Sequence, residues 1–575
     1  MTFRTRQKLG PSFFRFNLLA IIFFIFGFLI ILRLAQLQIL DAHKYRLSAS
    51  EIRSFEKKIE AKRGEIYVKE KDKKYLLALN VDSYNLFAVP REIEDPEETG
   101  EKIALILEIS QDEKNDLIKK LSKKNDWYEI LKKDLSQKEL TEIKKLALKG
   151  INIEIEQKRF YPEEEYFSHL IGFVGFKGDK KQGRYGLEEY YENILSGKEG
   201  IIKGERTVGD ILIKTAKSLI KEQKDGADIV LTINRTIQIK SCEILKEAIK
   251  KYQAEKGSII VVEPKTGEIL ALCNWPYFNP NQYNEVKDMN VFLNQAISAQ
   301  FEPGSIFKAI TFAIALEERK ITPETTYRDE GLVKIGGYTI KNAGEKVYGQ
   351  QTMKEVLEKS INTGAVFINQ RVGLEIFRRA VEKFGFGSLT GIELPAEIKG
   401  DIKNLFENKE IYLATASFGQ GIAVTPLQMA MSFAALANKG KLMKPYLVKE
   451  VISGDFVTKT QPQEKTQVIS PVTAEVLKEL LISVVKQGWG KRAQVKGYLV
   501  AGKTGTSQVP YLKGYSEKTI HSFAGFAPAD NPKFVALVKL DNPKLERFSD
   551  RTAAPTFGKL ADFLLKYFEI PPTEE

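Results

Sequence analysis

The chain has 575 residues, enough for two to four domains with sizeable cores, and its 43% hydrophobic and 28% charged residues are typical of globular proteins. The two cysteines exclude a disulfide-stapled scaffold and a thiolate zinc cluster. The net charge of +12 is spread among glutamates and is not gathered with aromatic residues, so a solvated basic surface is favoured over nucleic-acid binding.

The N-terminal segment has the pattern of a membrane anchor. Residues 2–15 contain four basic and no acidic residues, and a charge-free run extends from Phe16 to Leu32. This run is short for a spanning helix, but Arg33 can extend it by reaching the interface. A cleaved signal peptide is disfavoured because no Ala-x-Ala site follows, and a buried core helix because there is no polar face. We therefore predict a cytoplasmic tail over 1–15, an anchor over 16–35 in the cytoplasmic membrane, and all later residues outside.

The region from 36 to 225 is predicted to form a separate domain. Leu34 to Glu60 has the charge pattern of a helical stalk, and a polar, glycine-containing connector from Lys221 to Asp228 marks the domain boundary. Residues 97–149 are helical by periodicity, with Ser136 as a helix N-cap. The candidate buried positions of this helical part are Leu105, Ile106, Leu107, Ile109, Leu117, Ile118 and Leu121.

The region from 226 to 575 has the pattern of an antiparallel sheet covered by helices. Predicted strands lie at 229–233, 257–262, 268–273, 498–508, 521–527 and 534–540, and predicted helices at 236–252 and 555–568. Between them, the insert from Ser305 to Val485 is predicted to be all-helical. Cys242 falls in a helix and Cys273 in a strand, and buried free thiols are favoured over a disulfide.

Three short motifs carry the chemistry. Ser305 and Lys308 follow the Pro303-Gly304 turn at the start of an apolar helix, and a serine beside a neutral lysine can be an activated nucleophile. Alone, this pair is more often an N-cap serine with a solvated lysine. However, Ser360-Ile361-Asn362 and Lys503-Thr504-Gly505-Thr506 follow in that order. None of the three histidines lies near these serines in the sequence, so lysine is the predicted base.

The order Ser-x-x-Lys, Ser-x-Asn, Lys-Thr-Gly is the signature of penicillin-interacting acyl-transfer enzymes. The chain resembles a class B penicillin-binding protein, a peptidoglycan D,D-transpeptidase, from about residue 30 to 568. Further similar stretches lie at 159–162, 169–175, 186–192, 390–395 and 417–428. The chain departs from the family at Val68-Lys69, where an Asp-Arg pair is usual.

The resemblance implies a multi-domain α+β protein. An N-terminal transmembrane helix precedes an elongated α/β pedestal of the dimerisation type over 36–225, with a helical head at about 97–149. The transpeptidase domain follows over 226–575, as an antiparallel sheet sandwiched by helices with the all-helical insert.

The resemblance also implies a role for each motif residue. Ser305 is the nucleophile that forms an acyl-enzyme, and Lys308 is the general base, kept neutral by burial and by the second cation Lys503. Ser360 passes a proton to the leaving amine, and the Asn362 amide binds the substrate backbone. On the predicted strand, the hydroxyls of Thr504 and Thr506 hold the terminal carboxylate of the substrate. Gly505 leaves room for the substrate to lie against the strand. No metal and no cofactor are expected.

The expected partners are peptidoglycan stem peptides, with β-lactams as covalent inhibitors. Because no glycan polymerase domain precedes the pedestal, the resemblance implies a SEDS-family glycan polymerase and divisome proteins as partners. Phe301–Gly304 and the segment 521–529 are more similar to the division type than to the elongation type. The alternatives are an elongation-type protein, a β-lactamase of the same fold and a membrane β-lactam sensor.

Overall fold

The computed structural model describes residues 11–45, 54–71, 73–206, 212–213, 219–511 and 514–573. The strands are β1 (Ser54–Ile59), β2 (Ile66–Glu70), β3 (Lys73–Ala88), β4 (Glu129–Lys132), β5 (Ile151–Phe160), β6 (Phe173–Lys177), β7 (Lys180–Arg184), β8 (Gly200–Arg206), β9 (Leu212–Ile213), β10 (Leu219–Lys221), β11 (Asp228–Leu231), β12 (Lys256–Val262), β13 (Ile269–Trp275), β14 (Thr326–Asp329), β15 (Leu332–Ile335), β16 (Tyr338–Lys341), β17 (Gly349–Thr352), β18 (Lys441–Met443), β19 (Val448–Ser453), β20 (Phe456–Lys459), β21 (Glu464–Gln467), β22 (Ala501–Tyr511), β23 (Gly514–Ala527) and β24 (Phe534–Asp541).

The helices are α1 (Pro11–Ala35), α2 (Pro96–Leu107), α3 (Gln111–Leu121), α4 (Gln137–Leu146), α5 (Ser168–Ile171), α6 (Gly186–Tyr190), α7 (Glu192–Leu195), α8 (Arg235–Tyr252), α9 (Gln295–Ser298), α10 (Lys308–Glu317), α11 (Met353–Glu358), α12 (Asn362–Val372), α13 (Leu374–Lys383), α14 (Glu410–Ala416), α15 (Pro426–Ala437), α16 (Pro471–Lys486) and α17 (Ala553–Tyr567). The chain divides into two compact units, one of Met1–Lys62 with Gly197–Asp225 and one of Arg63–Ser196 with Gly226–Glu575.

The first unit contains the apolar N-terminal helix and a small sheet. The helical segment Arg15–Leu40 has 26 residues and contains an 18-residue window with a mean hydropathy of 2.9 and no buried residue, which is consistent with a single-pass membrane anchor. The sheet has the order β1-β8-β10, with β9 paired to β8. The predicted helical stalk is therefore wrong over Ser54–Ile59, which is strand β1; residues 46–53 of the stalk and 1–10 of the tail lie outside the described residues.

A seven-stranded sheet in the second unit joins distant parts of the chain. Its order is β20-β19-β11-β2-β3-β4, with β5 paired to β3. Strand β11 runs parallel to β2 and antiparallel to β19. The lysine-rich stretch after Val68 forms the end of the β2–β3 hairpin. The departure from the family sequence therefore lies at the turn of this hairpin. Strands β19 and β20 lie in the insert that was predicted to be helical.

Helices α2, α3 and α4 form the predicted helical head, but 97–149 is not helical throughout, because strand β4 (Glu129–Lys132) lies within it and pairs with β3. Leu107, Leu117 and Leu121 are buried there, as the periodicity predicts. Leu105 is 82% exposed, so its predicted burial is wrong: in helix α2 it faces away from the stripe that contains Leu107. The predicted cap is confirmed, because Ser136 and Glu139 form a capping box at the start of α4.

A buried carboxylate ties together three separate stretches of this unit. Glu188 is fully buried and accepts hydrogen bonds from Arg63 Nε at 2.6 Å and Arg159 Nε at 2.7 Å. A second carboxylate, Glu192, accepts from Arg63 at 2.7 Å. Burial raises the pKa of Glu188, but the charges and hydrogen bonds of the two arginines outweigh it, so the pKa lies below its usual value. The cluster is therefore an ionised network.

The second sheet of this unit carries helices on both faces, and its flanking helices and five of its predicted strands are confirmed. The strand predicted at 229–233 is β11 and belongs to the seven-stranded sheet instead. The five strands of the second sheet have the order β13-β12-β24-β23-β22, and all their pairings are antiparallel. Helices α8 and α17 cover one face and α15 covers the other. Because helices cover both faces of the sheet, all four residues of Ile259–Val262 are fully buried. This burial on both faces explains why the strand sequence is continuously apolar.

Two predictions for this domain are wrong. The insert is not all-helical, because it contains the strand pairs β14–β17, β15–β16 and β18–β21 as well as β19 and β20. Cys242 and Cys273 are not free thiols but form a disulfide between helix α8 and strand β13, with Cα atoms 5.4 Å apart. The packing of α8 against β13 brings the two residues together, and that packing cannot be read from the sequence.

Candidate active site

Ser305 begins the segment that leads into helix α10. Gly304–Phe307 forms a 3₁₀ turn, and α10 continues directly from it at Lys308. Gly304 has a φ of +57°, and a Cβ there would lie 3.0 Å from the carbonyl oxygen of Thr506, so the position requires glycine. Ser305 is partly exposed on the cleft, whereas Lys308, one turn on, is fully buried. Helix α10 is buried over its first eight residues, which draws the lysine into the core.

The amine of Lys308 is surrounded by oxygen atoms of the second motif. Lys308 Nζ donates to the carbonyl oxygen of Ser360 at 2.6 Å, to Asn362 Oδ1 at 2.8 Å and to Ser360 Oγ at 3.2 Å. Within the described chain, Ser305 Oγ makes no hydrogen bond, so it is available to a substrate. Burial, and secondarily the charge of Lys503, hold the pKa of Lys308 well below its usual value. The predicted causes of a neutral lysine are both present.

The second lysine contacts the same hydroxyl from the other side. Lys503 Nζ donates to Ser360 Oγ at 3.0 Å and to the carbonyl oxygen of Thr504 at 3.2 Å. It is fully buried, and burial lowers its pKa to about 7. Ser360 Oγ therefore bridges two buried amines, which gives a proton a continuous path between them.

The Ser360-Ile361-Asn362 turn is held in an unusual backbone conformation. Ser360 has a φ of +54°, in the left-handed region that non-glycine residues rarely adopt. Ile361 is 1% exposed and packs in the core, which agrees with a middle residue that points away from the cleft. The Asn362 side chain accepts from Lys308 and donates Nδ2–H to the carbonyl oxygen of Lys341 at 3.0 Å, which leaves its second amide hydrogen for a ligand.

The third motif lies on strand β22. Thr504 and Thr506 line the cleft, and Thr506 Oγ1 exchanges hydrogen bonds with Ser549, at 3.0 Å to its hydroxyl and 3.1 Å from its N–H. The explanation predicted for Gly505 is wrong. A Cβ at this position would lie 2.9 Å from Ile306 Cγ2 and 2.9 Å from the carbonyl oxygen of Pro303, not in open cleft. Gly505 therefore lets the strand approach the nucleophile turn and does not make room for a substrate.

The structure brings all the predicted site residues together around one cleft. Its cavity of about 170 Å³ is lined by Ser305, Ser360, Asn362, Thr504 and Thr506, with Lys308 and Lys503 buried beneath Ser360. Sequence reasoning missed several other lining residues, which belong to no motif: Asn342, Ala343, Tyr348, Lys359, Trp489, Phe548, Ser549 and Asp550. Two further lining residues, Phe418 and Gln420, lie in the stretch 417–428 that the sequence analysis singled out by resemblance.

His521 is close to the motifs in space although it is distant in sequence. It pairs with Thr506 across β22 and β23, but its ring nitrogens contact Thr519 Oγ1 at 3.0 Å and Thr552 Oγ1 at 2.8 Å. Burial lowers its pKa to about 4, so the imidazole is neutral near pH 7. Because His521 forms no hydrogen bond with a hydroxyl of the three motifs, a lysine remains the predicted base.

Comparison with known proteins agrees with this geometry. Residues 257–562 match the family model described as penicillin binding protein transpeptidase domain, and residues 58–231 match the penicillin-binding protein dimerisation domain. Stage V sporulation protein D of Bacillus subtilis is 35% identical over 96% of this chain and 86% of its own length. The probable peptidoglycan D,D-transpeptidase PenA of Neisseria meningitidis is 31% identical over 87% of this chain and 84% of its own. Penicillin-binding protein 3 of Mycobacterium tuberculosis, solved with aztreonam, superposes with a TM-score of 0.69 at 26% identity, covering 90% of this chain and 99% of that one.

Proposed function

Because the chain belongs to the class B penicillin-binding proteins, we propose that Ser305 is the nucleophile of a peptidoglycan D,D-transpeptidase. The protein is a serine-type acyltransferase that cross-links stem peptides in cell-wall synthesis and is a target of β-lactams. The observation that supports the residue assignment is the bridge of Ser360 Oγ between two buried lysine amines, in the cleft onto which Ser305 opens.

The first half-reaction forms the acyl-enzyme. Ser305 Oγ attacks the carbonyl carbon between the two terminal D-alanines of a stem peptide, and neutral Lys308 takes its proton. Backbone N–H groups of Ser305 and Thr506 hold the oxyanion, and the loss of such a donor costs about a hundred- to a thousand-fold in rate. The peptide bond breaks, and the leaving D-alanine amine takes a proton through Ser360 from the lysine pair.

The second half-reaction transfers the acyl group. An amine of a neighbouring stem peptide attacks the Ser305 ester, gives up a proton through Ser360 and Lys308, and the ester bond breaks to regenerate the hydroxyl. Thr504 and Thr506 hold the terminal carboxylate of the first substrate, and the free Asn362 amide hydrogen binds its backbone. Lys503 supplies positive charge beside them.

Mass spectrometry of the penicillin adduct tests the nucleophile. Wild-type protein and Ser298→Ala, a matched change on the preceding helix α9, are expected to carry one adduct on the peptide that contains Ser305. Ser305→Ala is expected to carry none, whereas Ser360→Ala still carries the adduct but forms it more slowly. A stable adduct on Ser305→Ala contradicts the assignment.

The lifetime of the adduct separates the transpeptidase from the alternatives. A β-lactamase of this fold would hydrolyse the ester and turn over penicillin continuously. A β-lactam sensor would form the adduct but would cross-link no peptide or thioester donor to an amine. A persistent adduct together with amine-dependent transfer supports the transpeptidase.

We further propose a role at the division septum. It is supported by the similarity of Phe301–Gly304 and of 521–529 to the division type. Depletion of the protein is then expected to give filamentous cells, whereas rounded cells would support the elongation type. Because the relative in Bacillus subtilis is named a sporulation protein, normal growth with blocked spore formation would identify a third role and contradict the septal one.

The proposed topology places the tail over 1–15 in the cytoplasm, the anchor over 16–35 in the membrane, and the pedestal over 36–225 and the transpeptidase domain over 226–575 outside. The positive charges before the apolar helix support this orientation. A SEDS-family glycan polymerase and divisome proteins are the proposed partners, reached through anchor and pedestal. Exchange of residues 1–225 for those of an unrelated anchored protein is expected to abolish septation; a normal septum would contradict this partnership.

A further inference from the structure

The Ser360-Ile361-Asn362 turn is capped by a side chain from outside the three motifs. Helix α12 begins at Asn362, and its N-cap residue, Ile361, has no side-chain oxygen to bind the first N–H groups of the helix. Asn342 takes over this role from the β16–β17 connection. Its Oδ1 accepts from the N–H groups of Asn362 and Thr363, each at 3.1 Å.

The orientation of Asn342 is set by a buried carboxylate. Asn342 Nδ2 donates to both carboxylate oxygens of Asp329, each at 3.0 Å, and to the carbonyl oxygen of Lys346 at 3.1 Å. Its nitrogen thus meets only acceptors and its oxygen only donors, so the amide has one orientation. Asp329 and Asn342 are 2% and 4% exposed.

Asp329 also holds the other groups around this cap. It accepts from Thr363 Oγ1 at 2.6 Å, from the N–H of Tyr348 at 2.8 Å and from Tyr327 OH at 3.0 Å. Burial raises its pKa, but these hydrogen bonds outweigh burial and leave the pKa below its usual value. The ionised carboxylate therefore locks both the cap and the first residues of α12.

We propose that Asp329 and Asn342 are positioning residues of the reaction, which fix the Ser360–Asn362 turn so that Ser360 and Asn362 stay aligned with Lys308. The left-handed Ser360 needs such support, because its conformation persists only where the surroundings over-determine it. The cap acts on the residue that binds Lys308 Nζ at 2.8 Å, so a small shift of Asn362 separates the amine from its acceptors. This inference rests on the proposed acylation of Ser305.

The proposal is tested by the rate constant of penicillin acylation, measured only for the fraction of protein molecules that become labelled. Asn342→Ala and Asp329→Asn are expected to reach full labelling of Ser305 but about 10- to 100-fold more slowly, the cost of misplacing a reacting group by an ångström or less. The double variant is expected to be no slower than the slower single variant, because the two residues act as one unit.

A matched control separates positioning from stability. Asn369 lies on the same helix α12, is fully buried and donates to the carbonyl oxygen of Leu413 at 2.9 Å, away from the cleft. Asn369→Ala is expected to lower the thermal midpoint and to keep the wild-type rate per molecule. A wild-type rate in Asn342→Ala, or an equal rate loss in Asn369→Ala, overturns the proposal.

A milder variant covers the case in which Asn342→Ala does not fold. Thr363→Val keeps the side-chain shape and removes the 2.6 Å hydrogen bond to Asp329, and it is expected to slow acylation by about 3- to 10-fold. An unchanged rate overturns the proposal. Absence of label on Ser305 in the wild-type protein would instead contradict the proposed function, so the two failures are distinct.

Discussion

Replacing Lys503 by methionine tests how the base is kept neutral. Lys308 Nζ and Lys503 Nζ lie 3.2 and 3.0 Å from Ser360 Oγ, so the two nitrogens are at most about 6 Å apart. At an effective dielectric constant of about 20, two unit charges at that distance repel by about 3 kcal/mol, so a charged Lys503 lowers the pKa of Lys308. Burial, the larger cause of the depressed pKa of Lys308, remains in the variant.

The assay is the pH dependence of the acylation rate constant between pH 5 and 10. Lys308 must be neutral to accept the serine proton, so the rate falls on the acid side with the pKa of Lys308. In Lys503→Met we expect the midpoint of this acid limb to rise by about one to two pH units. Because Lys503 also contacts the proposed substrate site, the rate falls at every pH, and only the midpoint reports the electrostatic effect.

Lys539→Met is the control for this experiment. Lys539 is a buried lysine on strand β24 of the same sheet, separated from β22 by β23, and it is paired with Asp541 and does not contact Ser360. Its replacement is expected to lower stability and leave the acid limb in place. An acid limb that does not move in Lys503→Met would refute either Lys308 as the base or Lys503 as the cation that depresses its pKa.

Three further predictions concern stability. The unfolded chain binds a proton on Lys308 that the folded protein rejects, so the contribution of Lys308 to stability rises with pH up to its ordinary pKa of 10.5. The stability that Lys308→Met gains over wild type should therefore shrink between pH 6 and 10, and a pH-independent gain would contradict a depressed pKa. Glu188→Gln leaves two arginines beside a neutral amide and should cost about 3–5 kcal/mol in urea unfolding, whereas a loss below about 1 kcal/mol would mean that the pedestal cluster is not ionised. Cys242→Ser with Cys273→Ser opens a cross-link across 31 residues and should cost about 3–4 kcal/mol, and equal stability of wild type with and without reductant would contradict the disulfide.

Local patterns predicted the elements whose structure is decided locally. Strands β12 and β13 carry apolar runs on either side of a Pro-Lys-Thr-Gly turn, and Ser136 and Glu139 have the spacing of a capping box. Strand β1 lacks such a local pattern, because its strand conformation depends on pairing with the distant strand β8. In this pairing Ser54 lies opposite Glu205 and Ile59 lies opposite Gly200. Strand β19 was missed for the same reason, since it pairs with β11, over 200 residues earlier. Strand β20 pairs with β19 across the short Gly454-Asp455 turn, so its signal is local and was overlooked.

The candidate site divides in the same way. Residues with chemistry in a fixed local spacing, such as Ser305 with Lys308, could be found from the sequence. Asn342 could not, because a capping asparagine 20 residues before its helix has no spacing that marks it. The disulfide was missed because the distance between Cys242 and Cys273 depends on how α8 packs on β13.

Each motif contributes side chains to the core as well as to the chemistry. Ile306 follows Ser305 and is fully buried, and Ile361 lies between Ser360 and Asn362 with 1% exposure. In the third motif, Gly505 lets β22 pack directly on Ile306 and the Pro303 carbonyl. The reacting groups are therefore held relative to one another by close-packed contacts that tolerate little displacement. Since a packed core has few intermediate arrangements, substitutions at these buried positions should change the acylation rate even though none of them touches the substrate.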